Sequence, residues 1–145
     1  MDYVFVCIGT NQLIEDSFGP RVGDILRKKF DKSTNIKVFG TMKDPIHFQN
    51  APIFLDYLKK EQSPLILIDS ALGRIEEVGS TYINLGGVEI GKAFGKSFYF
   101  PAHLNIKTIV GTKEHSKLYG INHVNQLAQT LATQIIHSIY EMNIY

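Results

Sequence analysis

Leu65-Ile66-Leu67-Ile68-Asp69-Ser70-Ala71-Leu72-Gly73-Arg74 is the stretch that decides how this chain is read. Four large aliphatic residues run without interruption into an acid. A strand that is apolar at every position is covered on both faces, as in the interior of a parallel sheet. Residues 3–8 form a second run of the same kind. It leads through Gly9-Thr10 into Asn11-Gln12-Leu13-Ile14-Glu15-Asp16-Ser17-Phe18-Gly19-Pro20. If both runs are parallel strands, Asp16 and Asp69 come to the same edge of one sheet. Open α/β sheets build their sites at that edge.

Working outward, Val22, Ile25, Leu26 and Phe30 repeat at helical spacing, and Pro20 falls in the first turn, where its missing N–H costs little. Residues 36–40 read as a second strand, and a loop through Asp44-Pro45-Ile46-His47 leads to a helix around 50–61. With a third strand at 65–69, this alternation predicts a three-layer αβα sandwich around a mainly parallel sheet. Right-handed crossovers give a strand order beginning 2-1-3, with the switch point between strands one and three. After Asp69 the rhythm changes. Gly86-Gly87 between residues 81–85 and 88–90 signals a hairpin excursion, and residues 91–101 read as irregular. Residues 107–111 return as a strand, and a final helix over about 122–142 carries Val124, Leu127, Leu131, Ile135, Ile139 and Met142 on one stripe. No repeat or linker divides residues 1–145, so one domain is expected.

Composition narrows the partners. With 15 basic and 14 acidic side chains the net charge is +1, which provides no field for nucleic acid or an anionic membrane. The lysines cluster only at helix ends (Arg27, Lys28, Lys29 and Lys32; Lys59 and Lys60). Cys7 is the single cysteine and lies in an apolar strand, where a buried, inert thiol is the default. No basic leader and no membrane-length apolar run is present, so a cytoplasmic protein is expected.

Two neighbouring carboxyls cannot both ionise cheaply; one keeps its proton while the other stays a base. Such a pair suits peptide hydrolysis, which needs a base for water and an acid for the leaving amine. The same acids could instead hold a divalent metal, or serve only as a helix cap (Asp16) and a strand-end turn acid (Asp69). His47 falls on the same sheet edge as an accessory candidate, with a polar-loop surface histidine as the plain reading. Asn50 either orients His47 or caps the second helix, with capping favoured. Arg74 either places a cation near the crevice or pairs with Glu76 or Glu77 on the surface. Glu15 reads as solvated, and His115, His123 and His137 have no metal-ligand spacing. The glycines between Gly86 and Ser97 only approximate a phosphate loop, since none follows a buried strand and opens a helix. No G-x-S-x-G elbow is present, and the Gly-rich dinucleotide fingerprint is missing, so no cofactor is expected.

Gly9-Thr10 with Asp16-Ser17-Phe18-Gly19-Pro20-Arg21-Val22-Gly23 resembles the "GT…GDSLGPLVG" segment of YyaC-type sporulation proteins. Asp44-Pro45-Ile46-His47-Phe48-Gln49-Asn50 is similar to their "DPVHAxN" stretch, and Ile68-Asp69-Ser70-Ala71-Leu72-Gly73-Arg74 with Val78-Gly79 to their "DACLGR…VG". That family resembles the spore germination protease, whose proposed catalytic aspartates fall on Asp16 and Asp69 here. The resemblance therefore implies a peptidase-like protein with Asp16 and Asp69 as the acid/base pair and His47 accessory. It also implies a protein or peptide substrate, such as a spore protein, and a spore or forespore location. Hydrogenase maturation proteases share the implied fold and bind the nickel of their substrate; on that pattern Asp16, Asp69 and His103 would be the metal ligands. His103 directly precedes a strand, which predicts that it lies on the edge opposite both aspartates. A catalytically inactive binding protein on the same fold, and self-association of the chain, stay open at this point.

Overall fold

In the computed structural model, which describes residues 2–92, 95–114 and 119–144, the two apolar runs are neighbouring parallel strands. β1 (Tyr3–Cys7) pairs with β2 (Ile36–Phe39) on one side and β3 (Leu65–Gly73) on the other, the 2-1-3 order that right-handed crossovers require. β3 pairs in parallel with β7 (Leu104–Thr112). β4 (Thr81–Leu85) then closes the far edge antiparallel to β7, so the order is β2-β1-β3-β7-β4.

Alternation along the strands sends side chains to two separate cores. On one face Phe5, Cys7, Ile66, Ile68, Ile106 and Val110 pack against α1 (Phe18–Lys29) and α3 (Ile121–Ile144). On the other, Val4, Val6, Ile8 and Leu67 meet α2 (Ala51–Leu58) and a small two-stranded sheet of β5 (Val88–Ile90) and β6 (Phe98–Phe100). One outer layer is thus two helices, and the other is a helix plus a small sheet. Among the described residues no helix is long and apolar enough to cross a membrane.

The start of α1 is fitted closely against the sheet. A Cβ on Gly19 would overlap the Ile8 carbonyl oxygen, and one on Gly23 would overlap that of Gly40. Glycine at both positions lets the helix lie directly on the strand ends. This close approach brings the turn before α1 over the mouth of β1.

The excursion after Asp69 differs from its sequence reading. Gly86-Gly87 does not join a hairpin: β4 pairs with β7, while β5 pairs with β6. Gly86, at φ +91°, turns the chain out of the main sheet instead. The buried Asn105 side chain donates to the Gly86 carbonyl at 3.1 Å, and Gly87 N–H donates to the Tyr99 hydroxyl at 3.0 Å. These bonds hold the corner where a tight turn was expected. The hairpin excursion therefore exists, but its strands are β5, expected at 88–90, and β6, which lies within the stretch 91–101 expected to be irregular. β3 runs four residues beyond Asp69 with a register shift between Ala71 and Leu72, and β7 begins three residues earlier than expected. α2 stops at Leu58, short of the expected end.

Candidate active site

β1 ends at Cys7, and the chain then climbs over the carboxyl edge of the sheet into a single 3₁₀ turn, Glu15–Ser17. Asp16 sits in this turn, whose backbone is tied back to the strand end by the Thr10 N–H to Asp16 carbonyl bond of 2.9 Å. Arg21 steadies the turn from α1. Its Nε donates to Ser17 Oγ at 2.8 Å and its Nη1 to Asn125 Oδ1 of α3 at 2.9 Å, while Ser17 Oγ donates to the Ile14 carbonyl at 2.6 Å. Asp16 is thus no helix cap, and Ser17 at the cap position makes no side-chain cap bond either. Asp69 lies on β3 on the face of the sheet shared with Leu67, and its Oδ1 accepts the Ser70 N–H at 2.8 Å.

Asp16, Asp69 and His47 line one crevice of about 160 Å³, together with Gly9, Thr10, Phe48, Ser70, Glu89, Ile90 and Gly91. That space holds several water molecules. Burial is the main force on both acids. It pushes Asp16 up to about 6, against hydrogen bonds from Thr10 that favour its anion, with Glu15 adding a smaller upward push. It pushes Asp69 up to about 7, against the Ser70 N–H and the cation of Lys107, its register partner on β7. The Asp16 charge is one of the causes that raise Asp69, so the two carboxyls titrate as a coupled pair. As pH rises through this range the pair passes through a state that holds one proton, with one carboxyl ionised and the other still an acid.

This arrangement makes a prediction about stability. Both acids hold protons in the native state that the unfolded chain, at about 3.9, has already released. Their contribution is therefore fully present below about pH 4 and is lost as pH rises through about 6 for Asp16 and about 7 for Asp69. Asp69→Asn keeps an acceptor for Ser70 but removes the buried charge. Discounted for residual solvent contact, the variant is expected to be about 2 kcal/mol more stable than wild type at pH 8, with no difference near pH 4. Chemical denaturation at the two pH values measures this. A variant no more stable than wild type at pH 8 would contradict the buried charge.

The other candidates divide. His47 reaches the crevice, and its loop is set by Asn50, whose Oδ1 accepts the His47 N–H and whose Nδ2 donates to the Pro45 carbonyl, both at 2.8 Å. Asn50 stands at the start of α2 but makes no side-chain cap bond, so it orients the loop and is not the favoured cap. His103 lies where its position before a strand predicts, at the amino edge of the sheet, with Nδ1 accepting the Leu65 N–H at 2.9 Å. It cannot join Asp16 and Asp69 in a ligand set, which corrects the weak metal assignment. Among the described residues no three His, Cys, Asp or Glu side chains come together as a metal-binding group. Arg74 pairs on the surface with Glu77 at 3.1 Å and Glu76 at 3.7 Å, away from the crevice. His123 meets the Val110 carbonyl at 3.1 Å and His137 pairs with Glu141 at 3.1 Å, while His115 lies outside the described residues.

Glu89 is the site residue that the sequence reading missed. Its carboxylate accepts a hydrogen bond from Ser97 Oγ. A Val-Glu-Ile strand following two glycines reads as a surface hairpin, and only the turn at Gly86 brings it beside the aspartates. Arg21 and Asn125 were missed for a similar reason, since their bond spans 104 residues.

A model of the family described as "Protein of unknown function (DUF1256)" matches residues 1–138. The chain is 35% identical over 136 residues to "Uncharacterized protein YyaC" of Bacillus subtilis (strain 168), covering 89% of this chain and 65% of that protein. The chain therefore spans somewhat less than two thirds of that relative's length. Two solved structures share the fold. The [NiFe] hydrogenase maturation protease HycI from Thermococcus kodakarensis KOD1 gives a TM-score of 0.51 at 13% identity, over 91% of this chain and 90% of that one. The hydrogenase maturating endopeptidase HybD from E. coli gives 0.51 at 10% identity, over 98% and 94%. At these identities the likeness concerns the α/β fold with its mostly parallel sheet.

Proposed function

The chain belongs to the DUF1256 family, and from that premise we propose that it is an endopeptidase-like hydrolase using Asp16 and Asp69 as a paired-carboxyl site of the germination-protease type. The observation that carries this reading is the shared crevice, in which burial holds one carboxyl near 6 and the other near 7. A peptide bond placed there meets a base and an acid at the same pH. Asp16 takes a proton from water as the water oxygen bonds to the peptide carbon. Asp69 gives its proton to the nitrogen as the C–N bond breaks, and solvent restores both groups. His47 and Glu89 border this space and are placed to hold polar atoms of the substrate backbone. Phe48 and Ile90 supply apolar wall. The hydrogenase maturation endopeptidases that share this fold support the reading, and a protein of the sporulating cell is the substrate that it implies.

A digest of a proteome-derived peptide library between pH 5 and 8, read by mass spectrometry against Asp16→Asn as the blank, tests it. Cleavages are expected with wild type alone. No cleavage by wild type at any pH would defeat the catalytic reading and leave a binding protein that retains the crevice.

A further inference from the structure

We propose that two copies of this chain associate along β4, antiparallel about a two-fold axis at Ile83, to join their five-stranded sheets into one. The outer edge of β4 pairs with no other strand among the described residues. Its hydrogen-bonding phase can be read from its ends. Ile109 N–H donates to the Ser80 carbonyl and Gly86 N–H to that of His103, so in this register Tyr82 and Asn84 carry the bonds to β7. The N–H and C=O groups of Thr81, Ile83 and Leu85 consequently point outward. A two-fold at Ile83 pairs Ile83 with itself and Thr81 with Leu85 of the second copy. Every outward group of the five residues then has a partner.

The two edges of the sheet are built differently. β2 carries Lys37, ion-paired with Glu61 at 3.0 Å, and such a charge discourages strand addition. Thr81-Tyr82-Ile83-Asn84-Leu85 has no charge and no proline, and leaves Ile83 68% and Leu85 91% exposed. An open, uncharged apolar edge of this kind is a template for another strand.

What selects a second copy as the occupant is the fit of this surface to itself. Thr81, Ile83 and Leu85 share the α3 face. There Thr81 borders a hollow of about 200 Å³ with Gly79, Leu127, Leu131 and Gln134. Directly opposite residues of an antiparallel pair point to the same face. Leu85 of the second copy, the most open apolar side chain of the strand, therefore lands against that hollow. Beside it a larger groove of about 460 Å³ runs beneath the end of α3, walled by Ile83, Ile106, Ile135 and Ile139. Among the described residues no charged side chain lines either space, so two identical faces meet there without like-charge repulsion. The crevice with Asp16 and Asp69 opens on the opposite face of the sheet and stays accessible.

Sedimentation equilibrium of wild type is expected to give the mass of two chains at about 0.1 mM, a concentration that populates even weak specific dimers. Ile83→Lys places two ammonium groups on the axis and is expected to give the mass of one chain with an unchanged circular dichroism spectrum. Ile83→Cys provides a second measurement. Hydrogen-bonded antiparallel partners lie about 5.5 Å apart at Cα, within reach of a disulfide. Mild oxidation is expected to cross-link this variant to itself, while Ile53→Cys, exposed on α2, remains uncross-linked. A wild type that is monomeric at 0.1 mM with no Ile83→Cys cross-link overturns the proposal. So does a dimer that Ile83→Lys leaves intact, which would lie on another surface. A monomer that gains stability only with a foreign strand peptide would also overturn it, in favour of a different partner.

Discussion

Asp69→Asn and Asp16→Asn are each expected to lower peptide hydrolysis by about 10²–10⁴-fold, the usual contribution of one general acid or base. The two losses differ in their pH signature. Wild type needs Asp16 ionised and Asp69 protonated, so its kcat/KM is expected to follow a narrow bell with limbs near 6 and 7. Asp69→Asn removes the alkaline limb, leaving a residual rate that rises with pH through Asp16 and then levels. Asp16→Asn removes the acid limb, leaving a residual rate that declines above the titration of Asp69. Because the Asp16 charge raises Asp69, deleting Asp16 should also draw the remaining limb downward. Initial rates on any cleaved peptide from pH 4 to 9 check all of this. Near-wild-type rates in either variant would dissolve the pair.

The largest effect on folding is expected from Phe18→Ala. Phe18 opens α1, is fully buried, and joins the core formed with Cys7, Val22, Leu26 and Val124. Removing a buried ring costs about 3–5 kcal/mol through lost transfer energy and the cavity left behind. That is a large share of the roughly 5–15 kcal/mol that stabilises a whole domain. The consequence is local as well, because Phe18 follows Ser17 and the Asp16 turn without a break. Urea unfolding of Phe18→Ala against Leu13→Ala, whose side chain is 54% exposed, makes the comparison. Leu13→Ala should lie within about 0.5 kcal/mol of wild type. A Phe18→Ala loss below 1 kcal/mol would mean that the first turn of α1 is not the anchor described.

The features legible in the sequence are those set by short-range physics. Unbroken apolar runs at residues 3–8 and 65–68 read as interior strands, and the helical spacing of Val22, Ile25, Leu26 and Phe30 marks the helix between the first two strands. From those elements and the handedness of crossovers, the 2-1-3 order and the shared edge for Asp16 and Asp69 follow. The position of His103 was also legible, since a residue before a parallel strand lies at its amino edge. What was hidden is choice of partner over long range. Gly86-Gly87 announces a change of direction, and nothing in those two residues says that β4 will pair with β7 and β5 with β6. Glu89 was lost with that choice, and the Asn50 side chain was misassigned because a loop-closing asparagine and a helix cap occupy the same sequence position.

Cys7 carries a consequence of a different kind. It is fully buried in β1, the strand held between β2 and β3, and burial pushes its thiol far above the ordinary range, with Asp24 adding to the shift. A thiolate reagent therefore has no access while the sheet is intact. Because it is the only cysteine, its labelling rate is a clock for separation of the central strands, uncontaminated by fraying at the helix ends or in the small sheet. The chain thus contains its own single-site reporter of how often its interior opens to water.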